Sequence, residues 1–195
     1  MRISPKYIQL VGDAIIPLGG FFFWDWGLYF ILLFYLLDMI ASEVIIHFKS
    51  RKSIEYYGKG KKERFSFGIQ SALMLLVSVI SIHAAMSFIQ PGIDFKQELI
   101  DFWTYEELGM QQGYLLAPFI AYGAYLQYKT SFLMPAKFRT LIHAEIWKAH
   151  LRAFLLIVAA SGIALGVSQV VELSQMIYVL VIVATSSSYQ FYFNN

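Results

Sequence analysis

The chain has 195 residues, of which 58% are hydrophobic and 14% charged, with a net charge of +2. A soluble domain carries roughly 25% charged residues, so this composition excludes an ordinary water-soluble fold. There is no cysteine, which excludes disulfides, thiolate metal sites and cysteine nucleophiles.

The apolar residues gather in six blocks, at about 7–23, 26–48, 66–89, 112–128, 147–170 and 174–193. About 20 apolar residues in a helix cross roughly 30 Å of hydrocarbon. Blocks one and four are near the lower limit, and the first reads as either a span or a re-entrant segment. Arg2 and Lys6 make a basic start, but Asp13 and Pro17 interrupt the block and no small-residue cleavage pattern follows. It therefore reads as a retained helix rather than a signal peptide.

The turn Phe23-Trp24-Asp25-Trp26-Gly27 follows, and its tryptophans are expected at headgroup level. Block two contains Asp38, Glu43 and His47. The connection after it carries Lys49, Arg51, Lys52, Lys59, Lys61, Lys62 and Arg64. Block three carries Ser71, Ser78 and His83; the serines read as packing residues. The next connection, 90–111, opens with Pro91-Gly92 and then places Phe95, Leu99, Phe102 and Trp103 at helical spacing against Asp94, Glu98, Asp101 and Glu106. That pattern predicts an interfacial amphipathic helix. Gln127 and Tyr128 end block four. Pro135 is expected to start a second amphipathic helix, with Phe138, Leu141, Ile142 and Trp147 against Lys137, Arg139, Glu145 and Lys148, running into block five. Gly162 and Gly166, four apart, form a small-residue surface that allows close helix approach. Block six carries Ser186, Ser187 and Ser188.

Every Lys and Arg except Lys96 falls in alternate connections or beside them. Lys and Arg are retained in the cytoplasm, so this asymmetry predicts six crossings with both termini cytoplasmic. The opposite side carries Asp25, Asp94, Glu98, Asp101, Glu106, Glu107 and Glu172. The expected fold is all-α, a polytopic transmembrane bundle forming one domain over 1–195 in the inner membrane. Its partners are the lipid bilayer and, through Gly162 and Gly166, other membrane subunits or a second copy. No nucleic-acid partner is expected, because topology accounts for the cations.

Ionisable groups inside a membrane are costly and are usually paired or functional. A rise of 1.5 Å per residue places Asp38 roughly 18 Å into a helix that starts outside, near the midplane. Glu43 lies nearer the cytoplasm, and Asp13 reaches a similar level from the other direction. His47 is one turn beyond Glu43 on the same face. His150 and Arg152 reach this level from block five, with His143 just below. His83 is separate, near the outer surface. No Lys or Arg is assigned to the depth of Asp38, which is therefore expected to be neutral and to lack an ionic partner.

Three readings are open for the layer of Asp13, Glu43, His47, His150 and Arg152. It is an interhelical network that locks the bundle, with Arg152 compensating a carboxylate. It is a proton, ion or small-solute path through Glu43, Asp38 and His83. Or it is a metal site, with Glu43 and His47 as two ligands and His143 and His150 completing the shell around a divalent ion. The first two describe a transport-like or complex-forming membrane protein with no resident cofactor. The third describes a membrane-embedded enzyme. No nucleophile elbow, zinc-protease helix, P-loop or dinucleotide fingerprint supports other chemistry, and block six lacks the histidine an intramembrane serine protease needs.

Three places resemble a family of multi-pass bacterial membrane proteins that has no assigned activity. They are Ile16-Pro17-Leu18-Gly19 leading to Trp26 and Tyr35-Leu36-Leu37-Asp38, then His83, then Pro135 with Arg139 and His143. Leu36 and Asp38 stand where that family has tryptophan and glutamate. The resemblance implies that Asp38, His83, Arg139 and His143 deserve first examination.

Overall fold

A computed structural model describes residues 5–58, 61–104, 106–107 and 110–193. Arg2 and Lys59 lie outside the described residues, as do the side chains of Lys6, Asp13, Lys61, Lys62, Glu107 and Ser188.

Helices account for nearly all of the described chain: α1 (Pro5–Phe23), α2 (Leu28–Tyr56), α3 (Lys61–Ile89), α4 (Phe95–Thr104), α5 (Gln112–Tyr128), α6 (His143–Ser168) and α7 (Gln175–Phe193). A two-residue antiparallel pair, Glu106–Glu107 with Met110–Gln111, joins α4 to α5. Among the described residues, three helices are long and apolar enough to cross a membrane: Leu28–Tyr56, Arg64–Ile89 and His143–Ser168. Ala14–Phe23 and Gln175–Ser187 are shorter apolar helices. α2 and α3 have 29 residues each, about 43 Å at 1.5 Å per residue.

α2 runs on past the apolar block that ends near residue 48. Lys and Arg are good helix formers, and Arg51 pairs with Glu55 one turn on at 2.9 Å. Arg64 reaches the same carboxylate at 3.3 Å and ties the start of α3 to the end of α2.

The turn after α1 departs from expectation. Trp26 is not at the surface but 3% exposed. Asp25 takes φ 53°, which folds the chain back. The Gly20 carbonyl accepts the N–H groups of both Trp24 (3.1 Å) and Trp26 (3.0 Å). The Trp26 indole then lies where a Cβ on residue 20 would be, so only glycine fits there. The indole packs at a tilt on Phe30, ring centres 4.4 Å apart, and enters the larger core with Tyr29, Ile31, Met86, Phe102 and Val179.

α4 matches the amphipathic pattern, and Asp94 caps it by accepting the N–H groups of Lys96 (3.0 Å) and Gln97 (3.1 Å). Its apolar face docks on the protein. Phe102 is 1% exposed and lies 4.6 Å from the Phe30 ring. The helix expected from Pro135 does not form. The chain makes one π-turn over Lys129–Leu133, Ala136 enters the left-handed region at φ 53°, and a single 3₁₀ turn spans Lys137–Arg139. α6 begins only at His143, where the Glu145 carboxylate accepts the Ile142 N–H at 3.2 Å. A second, smaller core of Ile45, Ala124, Tyr128, Phe132 and Ile146 closes this end.

Candidate functional site: a carboxylate between two histidines

Helical periodicity puts Glu43, His47, Ser50 and Ile54 along one stripe of α2, with Ser53 beside them. Glu43 is 8% exposed, Ser50 1% and Ser53 0%. α3 and α6 both pack near this stripe, and each contributes polar groups to it.

Ser71 of α3, 2% exposed, stands between Glu43 and His47. Its hydroxyl donates to Glu43 Oε1, and His47 Nε2 lies 2.8 Å from the same Oγ. A serine hydroxyl has one proton, and here it is given to the carboxylate. His47 must therefore donate from Nε2. The result is a directional chain, His47 Nε2–H to Ser71 Oγ–H to Glu43.

The other carboxylate oxygen, Oε2, faces His150 of α6, whose Nε2 is 2.9 Å away. That contact has ion-pair distance without the alignment of a hydrogen bond. Both side chains are 10% exposed, so the pair is screened from water. One carboxylate thus links three helices.

Aromatic rings enclose the cluster. Phe67, 3% exposed, packs edge-on against His47 (4.7 Å), His143 (5.2 Å) and Trp147 (5.1 Å). Trp147 in turn lies 5.5 Å from His150.

The other sequence candidates divide. His143 is seven residues before His150 on the same face of α6, and its Nδ1 meets Ser50 Oγ at 2.7 Å. It sits one layer toward the charged end. Ser53 donates to Leu141 O at 2.8 Å in that layer. Arg152 does not compensate Glu43 and is exposed. Two residues beyond His150 is 200° around a helix, so the guanidinium leaves from the opposite face. Asp38 is half-buried and has an interaction partner. Asp13 lies on α1, with its side chain outside the described part.

His83 belongs to a second polar group near the other end of α3. Val79 O can only accept, so His83 Nδ1 donates to it at 2.8 Å. Nε2 then shares a hydrogen bond with the Tyr29 hydroxyl, also at 2.8 Å. Phe95 of α4 covers the pair, 5.0 Å from His83 and 5.3 Å from Tyr29. Twelve residues of α3 separate this group from Ser71, about 18 Å.

For a metal, the geometry is of limited help. Ser71 Oγ occupies the space between Glu43 and His47, and His143 is turned to Ser50. Among the described residues no group of three or more His, Asp or Glu side chains is arranged to hold an ion. The residues missed from sequence are serines. Ser71 reads there as packing, and Ser50 and Ser53 are hidden in a cationic run. The signal for Ser50 is heptad spacing from Glu43, seven residues before it.

No protein-family model, curated protein or solved structure matches this chain.

Proposed function

We propose that the chain is an inner-membrane protein of transport-like or complex-forming type, with six crossings and both termini in the cytoplasm. Glu43 is its proton-exchanging centre. The observation that carries this reading is the hydrogen-bond chain from His47 through Ser71 to Glu43, with His150 on the second oxygen. A hydroxyl between an imidazole and a carboxylate passes a proton by breaking one O–H bond as it forms another, with no movement of heavy atoms. Histidine exchanges protons near neutral pH, so the chain has a donor at one end and an acceptor at the other. The aromatic enclosure by Phe67 and Trp147 keeps water from short-circuiting it. The orientation rests on the cationic connections, which the positive-inside rule assigns to the cytoplasm.

Proteoliposomes carrying a trapped pH-sensitive dye test the reading. Proton or coupled-solute flux is expected in the native chain and not in Glu43→Gln, which keeps the shape but holds no exchangeable charge. Flux unchanged in Glu43→Gln, or no flux in the native chain, leaves the cluster as a lock between helices. Gly60→Cys tests the topology, because labelling by an impermeant reagent in intact cells reverses the orientation. Gly162 and Gly166 have open space where a Cβ would be, which supports a helix partner there. Gly166→Leu is expected to abolish any oligomer seen by native electrophoresis. A divalent ion at Glu43, His47, His143 and His150, the basis of the enzyme alternative, would show as stoichiometric metal in the purified protein that is lost in His47→Ala.

A further inference from the structure

The charged end of α2 carries more positive charge than local acids balance. Lys49 is half-buried and close enough to Lys137 for the two ammonium groups to repel. One turn on, Lys52 Nζ and Arg139 Cζ each lie 5.8 Å from the centre of the Phe138 ring. The 3₁₀ turn that presents Lys137 and Arg139 is tied to α2 by two hydrogen bonds. They run from Tyr57 Oη to Arg139 O (2.9 Å) and from Ser53 Oγ to Leu141 O (2.8 Å). Four cations are therefore held in one place by the fold. Of the nearby acids, Glu55 is divided among Arg51, Arg64 and, at longer range, Lys52, and Glu145 is occupied by the Ile142 N–H.

Depth says what would neutralise them. Twenty residues from Leu28, at 1.5 Å each, cover about 30 Å, the thickness of the hydrocarbon. Lys49 and Lys52 thus fall where phospholipid phosphates lie. The adjoining turn exposes apolar groups to the same level, with Met134 at 70% and Ile142 at 42%. Cations beside exposed apolar side chains fit a molecule that has both a phosphate and acyl chains. A soluble phosphate has no use for the apolar part.

We propose that Lys49, Lys52, Lys137 and Arg139 form a binding site for the headgroup of an anionic phospholipid. Two phosphate oxygens bridge Lys49 and Lys137 and relieve their repulsion, and Lys52 and Arg139 flank the headgroup from the Phe138 side. The site needs only that α2 spans the bilayer. It is independent of proton exchange at Glu43 and of which way round the chain sits.

The test is a titration of the purified chain in uncharged detergent with phosphatidylglycerol, phosphatidylcholine or inorganic phosphate, with apparent affinity read from the melting temperature. Phosphatidylglycerol is expected to bind at least tenfold more tightly than phosphatidylcholine. A cation near an anionic surface is worth about fivefold in affinity, so Lys49→Gln with Lys137→Gln should weaken binding about 25-fold. Arg64→Gln with Lys148→Gln, elsewhere at the same end, should keep native affinity. If the half-buried pair does not give folded protein, Lys52→Gln with Arg139→Gln, closer to the surface, carries the same expectation. Three results overturn the proposal. Equal affinity for the two lipids removes the charge requirement. Equal loss in the Arg64/Lys148 variant reduces it to diffuse attraction. Competition by millimolar inorganic phosphate makes the ligand a soluble phosphate.

Discussion

Ser71→Ala isolates the element on which the candidate site depends. The substitution removes one oxygen from a position 2% exposed and leaves both Glu43 Oε1 and His47 Nε2 without their partner. A hydrogen bond to a charged group contributes about 1.5–3 kcal/mol, and an unsatisfied buried group costs about 1–3 kcal/mol. Hydrogen bonds between membrane helices average nearer 0.6 kcal/mol, because unfolded helices in lipid find other partners. The carboxylate puts Ser71 at the upper end, so about 2–3 kcal/mol is expected. For a chain of this size roughly 2–4 °C accompanies each kcal/mol, which gives a loss of about 4–12 °C. Ser78 is the control, because it is also 2% exposed and one heptad along the same helix. Ser78→Ala removes the same atom and should lose only about 1–2 °C, near the average membrane hydrogen bond. Ser71→Thr keeps the hydroxyl and should melt close to the native chain. The assay is thermal unfolding in detergent followed by tryptophan fluorescence. Equal losses for the two alanine variants would refute the argument, because burial alone would then explain both.

His150→Ala should cost about 1–3 kcal/mol, since it removes the group facing one oxygen of a buried carboxylate, whereas Arg152→Ala should stay within about 0.5 kcal/mol. Both are read from the same melting curves. Gly113→Ala should destabilise strongly, because its Cβ would strike the backbone of Phe102 and Trp103, while Gly162→Ala meets open space and should be neutral. Glu98 gives a pH dependence. Burial, and then the nearby Asp101, push its carboxyl above the usual range. The folded chain therefore holds that proton more tightly than the unfolded one, and stability falls as pH rises from the ordinary carboxylate value through the raised one. Glu98→Gln should thus raise the melting temperature at neutral pH and have no effect in acid below the ordinary value.

Apolar block length makes the helices legible in the sequence, since five of the expected starts or ends, among them Phe23, Ile89 and Tyr128, coincide with helix ends. The misses have separate causes. Hydropathy does not register the polar last two turns of α2, which form because Arg51 and Glu55 pair along the helix. The pattern after Pro135 has helical spacing, but spacing does not reveal that Ala136 turns left-handed. Trp26 looks like a surface residue until the bare Gly20 is placed beneath it. In the candidate site, Glu43 and His150 are legible because charge in an apolar block is conspicuous. Arg152 misleads because depth along a helix does not give its facing. Ser71 is silent because a serine in a membrane helix most often serves its own backbone, and only the neighbouring helix shows what it donates to.

The length of α2 sets a limit on the membranes this protein can occupy. Its 29 residues exceed the roughly 30 Å of hydrocarbon by about two turns. An apolar helix with surplus length tilts in a thin bilayer and straightens in a thick one. Here Arg51 and Lys52 oppose that adjustment, because drawing either one into the hydrocarbon has a cost that rises to about 2.5–3.5 kcal/mol at the bilayer centre. The 3₁₀ turn fastened to Ser53 and Tyr57 would have to move with them. A thicker bilayer must therefore thin around the protein instead, at a fraction of a kcal/mol per Å of mismatch. That elastic cost is shared by neighbouring copies when their thinned rims overlap. Copies reconstituted in a thick bilayer are therefore expected to cluster, and copies in a thin one to disperse.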